Sequence, residues 1–294
     1  MSPGCEHCYA ETLSKRVGHS DSGTKLPLWG VDATRKPASE KLWKELTKWN
    51  AVARRDGVKR RVFVASMADV FEVAPERNAN ANDVMRAGRK RLWEAIEECT
   101  NLVFQLLTKR PENVAQLAPW GNDWPTNVWL GTTVEDQKRA DERIPRLLSV
   151  PAKTRFLSCE PLLEEVDLGR YVFDREAAIR RAMHGPMALN WDQADSVIAD
   201  PVDWVILGGE SGPGCRVFKD EWAWRLLGTC HRAGIPFFMK QLGGAYVNEK
   251  YGVAGALLKL GPDTPKIRRL KDGMGGDESE WPIPGLAVRQ FPNP

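Results

Sequence analysis

Asn101-Leu-Val-Phe-Gln-Leu-Leu107 is a short run rich in apolar residues, and similar runs recur along the chain. Continuous apolar runs of about four to six residues are typical of strands that are buried on both faces of a sheet. Five further runs share this character: Arg61-Val-Phe-Val-Ala-Ser66, Asn127-Val-Trp-Leu-Gly131, Thr154-Arg-Phe-Leu-Ser158, Asp203-Trp-Val-Ile-Leu207 and Ile235-Pro-Phe-Phe-Met239. The sequence therefore predicts six buried strands.

Segments with helical spacing of apolar residues lie between most of these strands, at 39–55, 82–98, 135–148 and 219–233. Strands that alternate with helices favour a parallel sheet with right-handed crossovers. The predicted fold class is α/β, a partial or complete (β/α) barrel. We expect one barrel domain over 1–244 with an insertion near 171–202, and an irregular C-terminal extension over 245–294 that packs on the barrel and is rich in turn residues.

The overall charge of the chain is close to balanced. It has 294 residues with 42 Lys and Arg against 39 Asp and Glu, a formal net charge of +3. This balance excludes a highly basic nucleic-acid coat and an acidic disordered tail as descriptions of the whole chain. There is no apolar run near the ~18 residues of a membrane span and no signal-peptide core, so we expect a cytoplasmic protein without a membrane partner.

Cys5 and Cys8 are two positions of a Cys-x-x-Cys motif, whereas the other four cysteines are scattered singly. Zinc, an iron–sulfur cluster and a redox-active pair all use this motif, so Cys5 and Cys8 are candidate metal ligands. A closed zinc site would need ligands from scattered residues, and a redox pair would normally follow a strand. The scattered cysteines are expected to be small buried hydrophobic residues.

Polar and charged residues follow every predicted strand. In (β/α) barrels the carboxyl ends of the strands carry the catalytic and binding side chains, so these residues predict one polar site. The candidates are Ser66, Asp69, Lys109, Arg110, Glu135, Glu160, Glu210, Ser211 and Lys240.

Seven blocks of the sequence carry a resemblance to a known family: 2–11, beginning Ser2-Pro-Gly-Cys-Glu-His-Cys-Tyr9, and then 63–71, 107–112, 128–135, 155–162, 203–212 and 237–244. They are similar, in order, to successive blocks of the phage gene product 37 / gene product 68 family. Members of that family look like radical S-adenosylmethionine (SAM) proteins with a motif Cys-x6-Cys-x2-Cys. The resemblance spans nearly the whole chain.

Cys5 and Cys8 match the second and third cysteines of the family motif, and the first would fall upstream of Met1. We therefore expect the reading frame to begin upstream, with a first strand and a first cysteine that are outside this sequence. If their loss is real, this chain is inactive as a catalyst. Cys159, which follows a predicted strand, is a candidate replacement ligand.

The resemblance implies a [4Fe-4S] cluster on Cys5 and Cys8 and a bound SAM, whose reductive cleavage starts hydrogen abstraction on an unknown substrate. It also places the cofactor-binding residues at His7, Tyr9, Ser66, Asp69, Lys109, Arg110, Glu135 and Ser211. The catalytic candidates are Lys240, Glu160 and Glu210. A nucleotide or nucleic acid is the expected substrate class, and a protein partner encoded nearby is a further expectation.

Two other functions are open. The first is a cluster-free barrel enzyme in which the rim carboxylates act as acid–base pairs and Lys240 is a nucleophile or an electrostatic partner. The second is a non-catalytic barrel that binds nucleic acid or another partner. Residues 35–61 hold ten Lys and Arg against three Asp and Glu, interleaved with Trp43 and Trp49. Such a stretch occurs on nucleic-acid surfaces, but it is more typical of an amphipathic helix that turns Trp43, Leu46 and Trp49 to a core.

Overall fold

The computed structural model describes residues 2–17, 19–21, 24–26, 28–172, 202–212, 214–247, 267–268 and 284–292. The α-helices within these ranges are α1 (Tyr9–Val17), α2 (Glu40–Arg55), α3 (Ala79–Glu98), α4 (Val114–Leu117), α5 (Gln137–Leu148), α6 (Gly169–Val172) and α7 (Asp220–Ala233). Short 3-10 helices cover Pro3–Cys5, Glu76–Asn78, Pro111–Asn113 and Pro284–Leu286.

The strands of the same ranges are β1 (His19–Asp21), β2 (Thr24–Leu26), β3 (Arg60–Val64), β4 (Leu102–Thr108), β5 (Val128–Thr133), β6 (Thr154–Cys159), β7 (Trp204–Gly208), β8 (Phe218–Lys219), β9 (Phe237–Gln241), β10 (Tyr246–Val247) and β11 (Ile267–Arg268). Six of them form the main sheet, in the order β3-β4-β5-β6-β7-β9. β1 pairs antiparallel with β2, and β8, β10 and β11 form a small separate sheet.

The main sheet confirms the predicted fold class. β3 pairs in parallel with β4 and β4 with β5, and likewise β6 with β7 and β7 with β9. Helices alternate with these strands along the chain, which is the arrangement of a partial (β/α) barrel. Each apolar run of the sequence overlaps an observed strand, and the ends of the run lie within two residues of the ends of the strand.

The chain divides into two compact units. Unit 1 comprises Met1–His7, Thr133–Leu148 and Arg155–Asn293, and unit 2 comprises Cys8–Thr132, Ser149–Thr154 and Pro294. The predicted division into 1–244 and 245–294 stays a prediction. Most of the predicted insertion, 173–201, and most of the predicted extension lie outside the described residues.

In unit 2, one strand differs from its prediction. Six of the seven residues of β4 are buried, as a strand covered on both faces should be. β3 carries an apolar run of the same kind, yet it stands at an edge of the described sheet and Phe63 is 48% exposed. The expectation of burial on both faces is wrong for β3, because the composition of a run does not show whether the strand has neighbours on both sides.

Helix α2 occupies most of the basic stretch 35–61. Ser39 caps its start, since the hydroxyl oxygen accepts a hydrogen bond from the backbone N–H of Leu42 at 3.3 Å. Leu46 is buried, as the amphipathic interpretation requires, and Trp43 lies under the guanidinium of Arg91, 4.8 Å from the ring centre. Trp49 is 40% exposed and lies outside the core. The helix is therefore amphipathic, but one of the two tryptophans is on its solvent side.

In unit 1, two backbone segments approach closely just beyond β7 and β9. A Cβ atom on Gly209 would lie 2.3 Å from the carbonyl oxygen of Leu242, and one on Gly243 would lie 2.6 Å from the carbonyl oxygen of Glu210. Real Cβ atoms do not tolerate such distances, so glycine is required at both positions. Gly244 N–H also donates to the Glu210 carbonyl oxygen at 2.8 Å. This packing fixes the backbone from which the Glu210 side chain projects.

Of the helices in the described ranges, none combines the length and the apolar character that a crossing of the membrane requires.

Candidate functional site

The cysteine loop, defined here as Ser2–His7, carries Cys5 and leads directly into Cys8. Pro3–Cys5 forms a 3-10 turn that is closed by a hydrogen bond from Cys5 N–H to the carbonyl oxygen of Ser2 at 2.9 Å. Cys8 precedes helix α1. Both cysteines are half-buried free thiols. Two thiols three positions apart in sequence are chemically suited to bind a metal or a cluster.

The first residue of the cysteine loop is held by a buried carboxylate. The Ser2 hydroxyl donates to Oε1 of Glu135, which is fully buried just beyond β5. Arg143 of α5 donates to Oε2 of the same carboxylate at 2.5 Å and to the carbonyl oxygen of Thr133 at 2.8 Å. Glu135, predicted as a cofactor contact, therefore anchors the loop and pairs with a buried arginine.

The remainder of the cysteine loop is held by Glu210, which lies just beyond β7. His7 Nδ1 lies 3.0 Å from Oε2 of Glu210. Because an ionised carboxylate only accepts hydrogen bonds, this contact places the imidazole proton on Nδ1. Arg216 binds the same carboxylate through Nε at 3.0 Å and Nη2 at 2.5 Å. Glu210, predicted as catalytic, is thus the centre of a charged network that includes the residue before Cys8.

Glu210 stays ionised through nearly the whole pH range. It is buried, which by itself would raise the pKa of its carboxyl group. Hydrogen bonds from the side chain and backbone of Arg216 and from His7 outweigh that burial and lower the pKa to about 2. The hydrogen bond to Glu210 in turn raises the pKa of the Arg216 guanidinium. The ion pair of Glu210 with Arg216 therefore stays charged well into the acidic pH range.

A second ion pair lies at the strand ends of the same unit. Lys240 Nζ of β9 is 3.0 Å from Oε2 of Glu160, which follows β6. The side chains are 53% and 18% exposed, so solvent and solutes reach this pair more readily than they reach Glu210. A Cβ atom on Gly208 would lie 3.1 Å from the Glu160 side chain, so the carboxylate packs directly against the end of β7. The structure brings these two predicted catalytic residues together.

The predicted binding residues of unit 2 form a separate network around Asp69. Its carboxylate accepts hydrogen bonds from the hydroxyl of Thr108 at 2.8 Å, from the backbone N–H of Lys109 at 3.0 Å and from Arg110 Nη1 at 2.9 Å. Phe71 N–H donates to it as well, at 3.0 Å. These hydrogen bonds connect the segment that follows β3 to the end of β4 and the residues after it. Asp69 and Arg110 are therefore engaged with each other.

Ser66, Ser211 and Tyr9 are the remaining predicted binding residues. Ser66 is exposed beyond β3, and Ser211 is half-buried beside Glu210. Tyr9 begins α1, and its side chain lies outside what the structure describes.

Arg216 and Arg143 are functional-site residues that the sequence reasoning missed. Neither directly follows a strand of the main sheet, which was the criterion for the candidates. Arg143 is on α5, and Arg216 is in the segment after Gly214. The signal that was available is chemical: buried carboxylates need cationic partners, and no Lys or Arg adjoins Glu135 or Glu210 in the sequence.

The cysteines present fit an iron–sulfur cluster in part. Cys5 and Cys8 are accessible thiols of the right kind, but Cys159 is fully buried and burial raises the pKa of its thiol far above its usual value. The pKa of Cys230 is likewise raised, to about 12. Cys159 is therefore much less accessible than Cys5 and Cys8, and its role as a replacement ligand stays a prediction. Over the described part of the chain, no three His, Cys, Asp or Glu side chains are already grouped as metal ligands.

One further expectation about the cysteines needs correction. Cys99, Cys159 and Cys230 are buried, as small apolar residues should be. Cys215 is half-buried, like Cys5 and Cys8, and lies in the segment between Gly214 and Arg216. The prediction of burial is wrong for Cys215, because its segment belongs to the surface around the cysteine loop and not to the core.

Fold and site together define a class: a partial (β/α) barrel with a thiol-bearing N-terminal loop anchored on carboxylates that follow parallel strands. Within that class, the chain belongs to the family described as a protein of unknown function (DUF5131), whose model matches residues 1–279. No curated protein and no solved structure matches the chain.

Proposed function

We propose that this chain is a radical-SAM-like iron–sulfur protein. In this proposal Cys5 and Cys8 hold two corners of a [4Fe-4S] cluster, a third thiolate comes from a cysteine upstream of this sequence, and SAM binds beside the cluster. The observation that carries the proposal is the anchoring of the cysteine loop on Glu135 and Glu210. Both carboxylates follow strands of the parallel sheet, where (β/α) barrels place their chemistry.

The chain's own residues have distinct parts in this proposal. When bound, the cluster and SAM would supply one-electron cleavage of SAM and a 5′-deoxyadenosyl radical for hydrogen abstraction. Glu135 and Glu210 hold the loop in one conformation, so that Cys5 is presented without a large ordering cost at the moment of binding. The exposed ion pair of Lys240 and Glu160 offers a cation and an anion for orienting polar groups of a substrate.

Anaerobic reconstitution with iron and sulfide tests the proposal. The measurements are iron and sulfide per chain, the visible absorbance, and dithionite-dependent release of 5′-deoxyadenosine from SAM. They are made on this chain and on a chain extended upstream in the same reading frame. We expect the extended chain to give a brown chromophore and 5′-deoxyadenosine, and this chain to bind less iron. No chromophore and no 5′-deoxyadenosine from the extended chain would overturn the proposal.

A pair of variants separates specific from adventitious iron binding. Replacing both motif cysteines, Cys5→Ala with Cys8→Ala, should abolish iron binding. Cys215→Ala removes a thiol of similar exposure in unit 1 and should leave iron binding unchanged. Equal iron loss in both variants would show that iron binds to exposed thiols in general and would contradict the assignment of Cys5 and Cys8.

Helix α2 supports a second candidate function, the binding of single-stranded nucleic acid. The exposed face of Trp49 is available for stacking on a base, and Lys41 and Lys48 are exposed cations within about 100° of it around the same helix. Aromatic stacking beside cations is how many proteins bind single strands without sequence preference. The expected partner is a flexible single strand whose backbone phosphates meet these cations.

Binding of a fluorescent single-stranded oligonucleotide, followed by anisotropy at several salt concentrations, tests this second candidate. We expect salt-dependent binding that Trp49→Ala weakens roughly tenfold, since stacking contributes ~1–3 kcal/mol per base. Leu42→Ala is the matched control, because Leu42 is exposed on the same helix but has no ring to stack. The same loss of affinity in both variants, or no binding by the parent chain, would reject nucleic acid as the partner of α2.

A further inference from the structure

Arg216 connects the cysteine loop to the buried carboxylate beyond β7. Its Nη2 donates to the carbonyl oxygen of Pro3 at 2.9 Å, and its Nη1 donates to the Glu6 carboxylate at 3.0 Å. The same guanidinium grips Glu210 through Nε and Nη2. The backbone N–H of Arg216 donates to Glu210 as well, at 2.8 Å. The Arg216 side chain thus contacts one residue on each side of Cys5, and also the carboxylate of Glu210.

Glu210, the carboxylate to which Arg216 is bound, has a fixed position in unit 1. Glu210 is buried, and the close approach of Gly209 to Leu242 fixes the backbone that carries it. A guanidinium bound through two nitrogens to a carboxylate is held in one plane. The remaining nitrogen, Nη1, and the second hydrogen of Nη2 then point in set directions. The positions of Pro3 and Glu6 follow from the position of Glu210.

The segment that carries Arg216 also touches the cysteine loop at a second point. A Cβ atom on Gly214 would lie 3.6 Å from Nε2 of His7, so the backbone there passes beside the imidazole. Gly214 has a φ of +76°, a backbone conformation that favours glycine. The segment 214–216 therefore lies along the cysteine loop from His7 to Pro3, with Arg216 as its charged contact.

We propose that Arg216 is a positioning residue that sets the conformation of the cysteine loop and so controls how the Cys5 thiol is presented. This inference rests on the proposed function as far as the metal is concerned. Its structural part, the accessibility of the Cys5 thiol, holds in the metal-free protein and is measured separately. Arg216 has no chemical step of its own: it acts through Pro3 and Glu6 on the turn that carries Cys5.

Alkylation of the metal-free protein tests the structural part. The rate at each cysteine is followed by mass spectrometry with iodoacetamide, in a Cys215→Ala background that removes the neighbouring thiol. We expect Arg216→Ala to raise the alkylation rate of Cys5 roughly tenfold, because opening the loop no longer breaks charge-assisted hydrogen bonds. Cys159 and Cys230, buried in the core of the same unit, should remain protected. An unchanged Cys5 rate would overturn the proposal.

Two further variants make the result specific. Arg225→Ala removes an arginine of the same unit that forms exposed ion pairs with Glu221 and Glu165, and should leave the Cys5 rate unchanged. If Arg216→Ala unfolds the unit, Cys159 and Cys230 will react as fast as Cys5. In that case Glu6→Gln, which weakens only the exposed contact, decides: a Cys5 rate raised about twofold supports the proposal, and an unchanged rate overturns it.

Reconstitution of the upstream-extended chain tests the metal part. With Arg216→Ala we expect fewer iron atoms per chain and a broadened visible absorbance, since a loosely held Cys5 binds the cluster in several geometries. Unchanged iron content and spectrum would overturn this part. If the parent chain itself binds no iron, the proposed function fails, while the alkylation rates still decide whether Arg216 positions the loop.

Discussion

Asp69 of unit 2 and Glu210 of unit 1 are carboxylates in comparable positions, since each follows a strand of the parallel sheet and each accepts several hydrogen bonds. The partners of Asp69 all come from the end of β4 and from the segments beyond β3 and β4. The partners of Glu210 include His7 of the cysteine loop and Arg216, which binds the loop in turn. Asp69 therefore connects the ends of two neighbouring strands, whereas Glu210 holds the cysteine loop.

The difference shows that the role of a carboxylate at the end of a strand depends on which segments of the chain its hydrogen-bond partners belong to. Both residues are satisfied by hydrogen bonds, so neither offers a free acceptor in the way that an isolated rim carboxylate would. A change at Asp69 should affect stability alone. A change at Glu210 should affect stability and, through the loop, the reactivity of Cys5.

The largest effect should come from Glu210→Ala. Removing the carboxylate leaves the partly buried Arg216 without its main partner, and breaking a buried pair in this way costs about 3 kcal/mol in the free energy of unfolding. Urea denaturation measures the loss. Glu165→Ala is the control, since it breaks an exposed pair with Arg225 and should cost less than about 0.5 kcal/mol. Similar losses in the two variants would contradict the central place of Glu210 in unit 1.

The next effect is the pH dependence that Glu210 gives to stability. Its pKa in the folded protein is about 2, against a usual value of 4.5. A group whose pKa is lowered by folding contributes stability above the unfolded pKa and loses it as pH falls towards the folded pKa. The free energy of unfolding of the parent should therefore exceed that of Glu210→Gln at pH 6, and about 3 kcal/mol of this difference should disappear between pH 5 and pH 2.

Urea denaturation at a series of pH values measures that difference. Glu165→Gln, which alters an exposed carboxylate, is the control and should keep the pH profile of the parent. A difference between the parent and Glu210→Gln that stays constant over this pH range would show that Glu210 does not have the lowered pKa.

A smaller loss should follow from Asp69→Asn. The amide keeps some of the hydrogen-bond acceptors but loses the charge that binds Arg110, which costs about 1.5 kcal/mol in the free energy of unfolding. The alkylation rate of Cys5 should stay at the parent value, because the partners of Asp69 do not carry the thiol loop. Faster alkylation of Cys5 in Asp69→Asn would remove the distinction between the two carboxylates.

The sheet was predictable from sequence because its signal is local. An apolar run such as 101–107, followed by a polar residue and a helical segment, shows both the strand and its direction, so the strands and α2, α3, α5 and α7 were placed within a few residues. Exposure was less predictable. Phe63 has the same kind of neighbours in sequence as Phe104, yet Phe63 is exposed and Phe104 is fully buried. Strand neighbours, and not the run itself, decide this.

The site was predictable in its residues and not in its connections. Glu135, Glu160, Glu210 and Lys240 were found because they follow or end strands, and the pairing of Glu160 with Lys240 follows from that common edge. The anchoring of Ser2 on Glu135 joins residues 133 positions apart, and that of His7 on Glu210 joins residues 203 positions apart. Such contacts are set by packing of the whole chain, which a local pattern does not contain.

Ser2 allows the finest test of the comparison, because it is the second anchor of the cysteine loop. Ser2→Ala removes one donor to Glu135, while Arg143 still pairs with that carboxylate. The free energy of unfolding should fall by less than about 1 kcal/mol. The Cys5 alkylation rate should rise about threefold, less than for Arg216→Ala, because the loop loses one neutral donor and keeps its charged contacts.

The matched control for Ser2→Ala is Ser14→Ala. The Ser14 hydroxyl donates to the carbonyl oxygen of Glu11 at 2.7 Å, so its removal also costs one hydrogen bond, but within helix α1. Stability should fall by a similar amount and Cys5 alkylation should not change. If both serines left the Cys5 rate untouched, Arg216 and Glu210 alone would hold the loop, and Glu135 would belong with Asp69 among the carboxylates that serve stability only.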